Sequence, residues 1–167
     1  MRFTMRRRIG NFKFSLVMGT VRDVKGVNSS LHNGGHIIMW EFDEPDYTKV
    51  ERWLWTTQAF HGLPAIHVSQ SHPGGGYHAY CLKRVEWIES IAIVAKTEGV
   101  DPGYISMCAQ RGHWTLRITD KGSGIPKFVA TMPSGWPETV DPYELTSWVN
   151  YEVWSNNHVL TIGEVNI

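Results

Sequence analysis

The alternation of strand-like and helix-like patterning between His36 and Gly99 constrains the fold of this chain more than any other feature. His36-Ile37-Ile38-Met39-Trp40 is an apolar run that ends in Glu41-Phe42-Asp43, and a polar, glycine-bearing loop at 28–35 leads into it. Glu44-Pro45-Asp46 then predicts a helix start, because proline is tolerated in a first turn. Tyr47, Val50, Trp53 and Leu54 share one face of that helix, and His61-Gly62 stops it before Pro64. Residues 65–70 and 77–83 read as strands around a tight turn that holds Pro73 and three glycines. Residues 85–98 carry Ile88, Ile91, Ala92 and Ala95 at helical spacing before Gly99. Helices intermixed with hairpins predict an α+β domain, a mixed or antiparallel sheet flanked by a few helices, rather than a doubly wound parallel sheet.

Further along, 104–108, 114–119 and 127–132 read as strands joined by glycine-containing turns. Asp141-Pro142-Tyr143-Glu144 has the N-cap, proline and third-position glutamate of a helix start, predicting a last helix that reaches about Val153. Residues 158–162 are expected to return as a strand. At 167 residues with 42% hydrophobic content the chain is long enough for one domain with a real core, assigned to 28–167. No apolar run approaches the roughly 18 residues needed to cross a bilayer, so no membrane partner is expected. Cys81 and Cys108 form no CxxC pair, which disfavours a zinc ribbon and fits a reduced, cytoplasmic setting.

The balanced net charge hides an asymmetry. Arg2, Arg6, Arg7, Arg8, Lys13, Arg22 and Lys25 stand against Asp23 alone in the first 25 residues, whereas 128–167 contains five acids and no Lys or Arg. Residues 1–27 are therefore read as a basic arm or edge segment, with Arg6, Arg7 and Arg8 able to neutralise nucleic-acid phosphates.

Chemistry concentrates in three short segments. Side chains alternate along a strand, so Glu41 and Asp43 point the same way with Phe42 opposite. Two adjacent carboxylates repel, and a divalent cation is the usual means of keeping both ionised. Asp101, in Val100-Asp101-Pro102, offers a third carboxylate, and His78 follows the glycine-rich turn in Gly74-Gly75-Gly76-Tyr77-His78-Ala79-Tyr80. Together they suggest metal-assisted chemistry on a phosphate. On a strand Arg117, Thr119 and Lys121 would share a face, placing two cations where a triphosphate needs them. The histidines at 61, 67, 72 and 78 match no usual zinc spacing. Most of the eight tryptophans are expected to pack, with Trp40 the one placed to line a site.

The order Glu-x-Asp, helix, Gly-Gly-Tyr-His, hydrophobic-Asp, then Leu116-Arg117 with a trailing Lys121 resembles the archaeo-eukaryotic primase superfamily, including its primase-polymerases. The likeness spans about residues 36–121 and is strongest at 74–80. It implies an RRM-like core in which Glu41, Asp43 and Asp101 are catalytic carboxylates that hold Mg²⁺ or Mn²⁺. It also implies that Gly76 and His78 match the small-x-His motif, and that His78, Arg117 and Lys121 face nucleotide phosphates. The implied activity is transfer of an NTP or dNTP to a 3′-hydroxyl on a single-stranded DNA template, in company with a replicative helicase or polymerase. Here the first motif begins with Glu where Asp is commoner, and the Pro-Gly often found after the arginine is missing. Asp120 is an alternative third carboxylate and Glu44 a competing ligand. A non-catalytic relative that binds nucleotide or nucleic acid is the second expectation. A nicking replication initiator using His67 and His78 is disfavoured, because the His-x-His pair such enzymes carry on one strand is absent.

Overall fold

The computed structural model describes residues 2–19, 21–145 and 148–154. The chain opens with three strands, β1 (Arg2–Ile9), β2 (Phe12–Gly19) and β3 (Val21–Asn28). Strand β4 (His36–Phe42), helix α1 (Tyr47–His61), strands β5 (Ile66–His72) and β6 (Gly75–Val85), and helix α2 (Trp87–Lys96) follow. Helix α3 (Pro102–Arg111), strands β7 (Thr115–Arg117) and β8 (Lys127–Met132), a 3-10 turn (Pro142–Glu144) and strand β9 (Trp148–Trp154) complete it.

The architecture is α+β, one small domain in which every strand pairing is antiparallel. The main sheet has the order β4-β6-β5-β8. Strands β4 and β5, joined by α1, run the same way with β6 inserted between them, so the helix crossover is split by the hairpin strand. A second sheet has the order β7-β3-β9, and β1 pairs with β2 as a separate hairpin closed at Gly10-Asn11. Ser29 joins the two larger sheets. Its N–H donates to the Trp114 carbonyl at 3.0 Å, and its own carbonyl accepts from Ile37 at 2.9 Å.

Period-two patterning divides the main sheet into two faces. Ile38, Trp40 and Phe42 of β4 are buried beside Ala79 and Cys81 of β6 and Ile66 and Val68 of β5, on the side covered by the helices. The buried Trp40 indole donates to Thr97 Oγ1 at 3.0 Å, just past α2, and Phe42 stacks on Trp53 of α1. Trp40 is thus core rather than site lining. The opposite face carries Met39, Glu41, His78 and Tyr80.

The predicted stop of α1 holds, and its start falls just after the expected Glu44-Pro45-Asp46 segment. Asp46 caps α1 by accepting from Thr48 N–H, and Gly62 ends it in the left-handed conformation. Other expectations do not hold. Residues 104–108 lie inside α3, because the Asp101 carboxylate caps the helix and Pro102 occupies its first turn. Tyr104 and Cys108 are then buried one turn apart. The strand expected over 114–119 ends at Arg117. The helix expected from 141 is a single 3-10 turn, and 148–154 is drawn instead into a seven-pair ladder with β3. Residues 1–27, read as an arm, are strand for most of their length, with β3 central in its sheet. The strand expected at 158–162 lies outside the described residues. Among the described residues no helix is long and apolar enough to cross a membrane.

Gly99 shows how closely α1 approaches the segment after α2. Its φ is +76°, and a Cβ there would lie 2.1 Å from Trp53 Cζ3. Gly112 has the same φ with nothing within 4 Å. Gly99→Ala should therefore cost about 3 kcal/mol and Gly112→Ala only about 1 kcal/mol, read as urea midpoints at constant slope. Equal losses at the two positions would show that the Trp53 contact plays no part.

Candidate functional site

The pairing of β4 with β6 sets Glu41 directly opposite His78 on the face away from the helices. Glu41 Oε1 lies 3.8 Å from His78 Nε2, an ion-pair contact rather than a hydrogen bond. His78 is buried and Glu41 half-buried. Burial works against the Glu41 charge, but contact with His78 and the charges of Lys121 and Arg117 outweigh it and hold the carboxyl below its usual range.

Asp43, one residue past the end of β4, behaves oppositely. Burial, then the neighbouring charges of Asp101 and Glu41, push its carboxyl up, and Lys121 and His72 pull back without offsetting them. Asp101 arrives at the same place because its N–H donates to the Glu41 carbonyl at 3.0 Å. Three carboxylates from two separate segments thus converge, with Lys121 near two of them.

Asp101 also has a structural duty. Its Oδ1 accepts from Gly103 N–H and its Oδ2 from Tyr104 N–H, both at 2.9 Å, which satisfies the open end of α3. The two rivals are committed elsewhere. Asp120 Oδ1 accepts from Gly122 and Gly124, shaping its own loop. Glu44 accepts from Asp46 N–H and pairs with Lys49 at 3.1 Å.

Arg117 is buried, and its guanidinium donates to three backbone carbonyls: Ser71, Thr119 and Gly124, the last at 2.8 Å. It ties the 119–124 loop to the end of β5 while lending its charge to Glu41. The expectation that Arg117, Thr119 and Lys121 share one strand face is replaced by this clamp, since the strand stops at Arg117. Gly76 has a conformational reason to be small. At φ +70°, an added Cβ would lie 2.6 Å from Ser71 Oγ and 3.1 Å from the Phe42 carbonyl. Of the basic residues at 6–8, Arg7 and Arg8 are exposed on the β1–β2 hairpin, and Arg8 Nε donates to the Gly10 carbonyl at 2.9 Å. The Arg6 side chain is outside the described residues.

A cavity of about 330 Å³ opens on the same sheet face. His78, Arg117 and Ser69 line one part of it, and Ile37, Leu82 and Leu145 another. Leu82, missed in the sequence as a site residue, and Tyr80, read there with Tyr77 and Trp40 as able to meet a sugar, both follow from the alternation that begins at His78. Burial pushes the Cys81 thiol up to about 12 and that of Cys108 to about 11, so neither is poised as a nucleophile.

Among the described residues no three His, Cys, Asp or Glu side chains are grouped so as to hold a metal ion between them. The chemistry of the donors nevertheless suits a hard divalent cation. They are carboxylate oxygens, a cation would relieve the crowding at Asp43, and each Asp101 oxygen keeps a lone pair beyond its cap bond. No family model matches the chain, and no curated protein or solved structure matches it.

The opposite shifts of Glu41 and Asp43 give opposite stability effects. Glu41, depressed on folding, stabilises the fold above its unfolded value near 4.5, and that contribution fades as pH falls through its folded value. Asp43, raised on folding, destabilises above its folded value and ceases to do so below 3.8. At pH 7 without added metal, Glu41→Gln should lower Tm by about 2–4 °C. Asp43→Asn, more exposed and better screened, should raise it by about 1 °C. Thermal scans from pH 3 to 8 check both signs, and shifts of the same sign would mean that the two carboxylates do not share a field.

Proposed function

We propose that this chain is a minimal primase-polymerase-like nucleotidyltransferase that adds NTP or dNTP to a 3′-hydroxyl on a single-stranded DNA template, a role in DNA replication. The observation that carries it is the nearness of Glu41, Asp43 and Asp101 to one another, with His78 opposite Glu41 and Lys121 close by, from segments 36–43, 75–85, 101 and 121; of these His78 also lines the cavity. The resemblance of those segments to the archaeo-eukaryotic primase motifs supports the same reading.

In that reaction the 3′-hydroxyl attacks the α-phosphorus in line and the bond to pyrophosphate breaks. Glu41, Asp43 and Asp101 would hold Mg²⁺ or Mn²⁺, and such a cation, when bound, activates the attacking oxygen and stabilises the leaving pyrophosphate. Lys121 supplies positive charge to the triphosphate and His78 a ring N–H that can donate to it. Arg117 acts at one remove, fixing the 119–124 loop and adding its field at Glu41. Gly76 lets β6 pass close to the end of β4. Arg7 and Arg8, exposed on the hairpin, suit a template backbone, and their contribution should weaken as salt rises.

One observation favours a second reading, a nucleotide- or DNA-binding accessory subunit of the same fold without turnover. Both Asp101 oxygens already accept cap hydrogen bonds and Glu41 is in contact with His78, which leaves Asp43 alone of the three without a hydrogen-bond or ion-pair partner among the described residues.

Incubation of the protein with a primed single-stranded template, labelled nucleotides and Mn²⁺ separates the two. Extension or dinucleotide formation is expected, with a loss of at least a hundredfold in Asp43→Ala. Nucleotide binding with no product, unchanged by chelation, selects the accessory role. Neither binding nor product rejects both.

A further inference from the structure

The cavity beside the carboxylates is graded along the strands, and the grading has a direction. On β6, His78, Tyr80 and Leu82 follow one another on the same face, and on β4 Glu41 stands opposite His78 and Met39 opposite Tyr80, with Ile37 further along the strand; all of these but Glu41 line the cavity. One end is therefore charged and the other apolar, closed by Leu82, Ile37 and Leu145. Four residues of strand separate His78 from Leu82, about 13 Å at the usual rise. A ligand that fills this space is elongated, anionic at one end and apolar at the other.

The middle of the cavity holds its one six-membered aromatic ring, Tyr80. That ring is held firmly from behind. His67 stacks on it with centroids 4.9 Å apart and planes at 28°. His67 in turn is fixed through both ring nitrogens, Nδ1 to Thr131 Oγ1 at 3.1 Å and Nε2 to Glu138 Oε1 at 3.4 Å. The Tyr80 hydroxyl has no hydrogen-bond partner among the described residues. An immobilised aromatic ring facing an apolar space suits a planar partner better than a flexible chain, since it offers stacking without a cost in side-chain order.

We infer that this cavity is the nucleoside half of the substrate site: the phosphates lie at His78 and Lys121, and the nucleobase enters toward Leu82 and stacks on Tyr80. Tyr80 is the residue that contacts the base, and His67, which acts through it, is a positioning residue. The inference rests on the nucleotidyltransferase reading for its anionic end, but the base contact has consequences of its own. Because the protein itself holds the base, a nucleoside triphosphate binds before any template does. Because stacking reads the π-face and not the base edge, the four bases bind with similar affinity in the absence of template.

Titration calorimetry of the full chain in Mg²⁺, without DNA, tests this with three probes: ATP, inorganic tripolyphosphate and decyl phosphate. ATP should bind at least tenfold tighter than tripolyphosphate, with CTP within about threefold of ATP. Tyr80→Leu, which keeps apolar volume, should bring ATP down to the level of tripolyphosphate. Tyr80→Phe should keep the tenfold advantage, and His67→Ala should lose about threefold of it with tripolyphosphate binding unchanged. The Tm of each variant checks that it is folded. Tripolyphosphate binding as tightly as ATP overturns the base site and leaves the phosphate reading standing. Decyl phosphate binding tighter than ATP overturns it in favour of an aliphatic ligand. An ATP advantage undiminished in a folded Tyr80→Leu also overturns it. No binding of any probe removes the nucleotidyltransferase reading and the inference together. ATP binding that depends on Tyr80, in a protein that extends no primer, keeps the inference and removes the reaction.

Discussion

The register of β4 against β6 is the constraint on which the rest of the site depends. It sets Glu41 across from His78, and every side chain on either face follows from it, because a slip of one residue would send Glu41 into the core and Trp40 to the cavity. Several contacts resist that slip. The buried Trp40 indole is hydrogen-bonded to Thr97, whose hydroxyl also accepts from Thr57 and donates to the Ile93 carbonyl, so the network is satisfied without water. Phe42 stacks on Trp53, and Gly76 fits under the Phe42 carbonyl, where a larger residue would not. The apolar face is thus what aims the acidic one. The position of Glu41 is decided by residues that point away from it.

The site sets two opposed electrostatic demands side by side. Glu41 is neutralised by His78, Lys121 and Arg117, while Asp43, closer to solvent, is left with two like charges. Repulsion of this kind is what an arriving cation relieves, so it favours binding at Asp43 more than at Glu41. His78, set opposite Glu41 by the strand register, makes most of this division, and Lys121 and then Arg117, held on three carbonyls, add to it at Glu41.

Elements defined by local signals were legible in the sequence. The Gly62 stop and the α2 periodicity are properties of short segments, and α1 and α2 stand close to where those signals place them, although Pro45 lies just before the Asp46 cap rather than in the first turn. Elements defined by distant partners were not. Residues 104–108 have the alternating look of a strand, and only the capping strength of Asp101 decides for helix. The segment after 141 has a complete capping box, yet 148–154 is taken by β3, more than 120 residues earlier, after one 3-10 turn. Arg117 was read as facing phosphate because its strand was taken to continue to 119, and nothing in the local sequence reveals the Ser71 carbonyl that claims it. The order of the acidic and histidine motifs pointed to residues that the fold sets near one another, while Leu82 was overlooked although it lies on the same alternation as His78 and Tyr80.

Asp101 shows why the three carboxylates are unequal as witnesses to function. Its side chain begins α3 and its backbone N–H is anchored on the Glu41 carbonyl, so its removal disturbs helix and site at once. A loss of activity on removing it would follow from catalysis and from misplacement alike. Asp43 has no cap to hold and lies beyond the last ladder pair of β4, and its charge is a burden to the fold rather than a support. A charge that burdens the fold needs some other reason, and under the function proposed above that reason is a ligand that brings the missing positive charge with it.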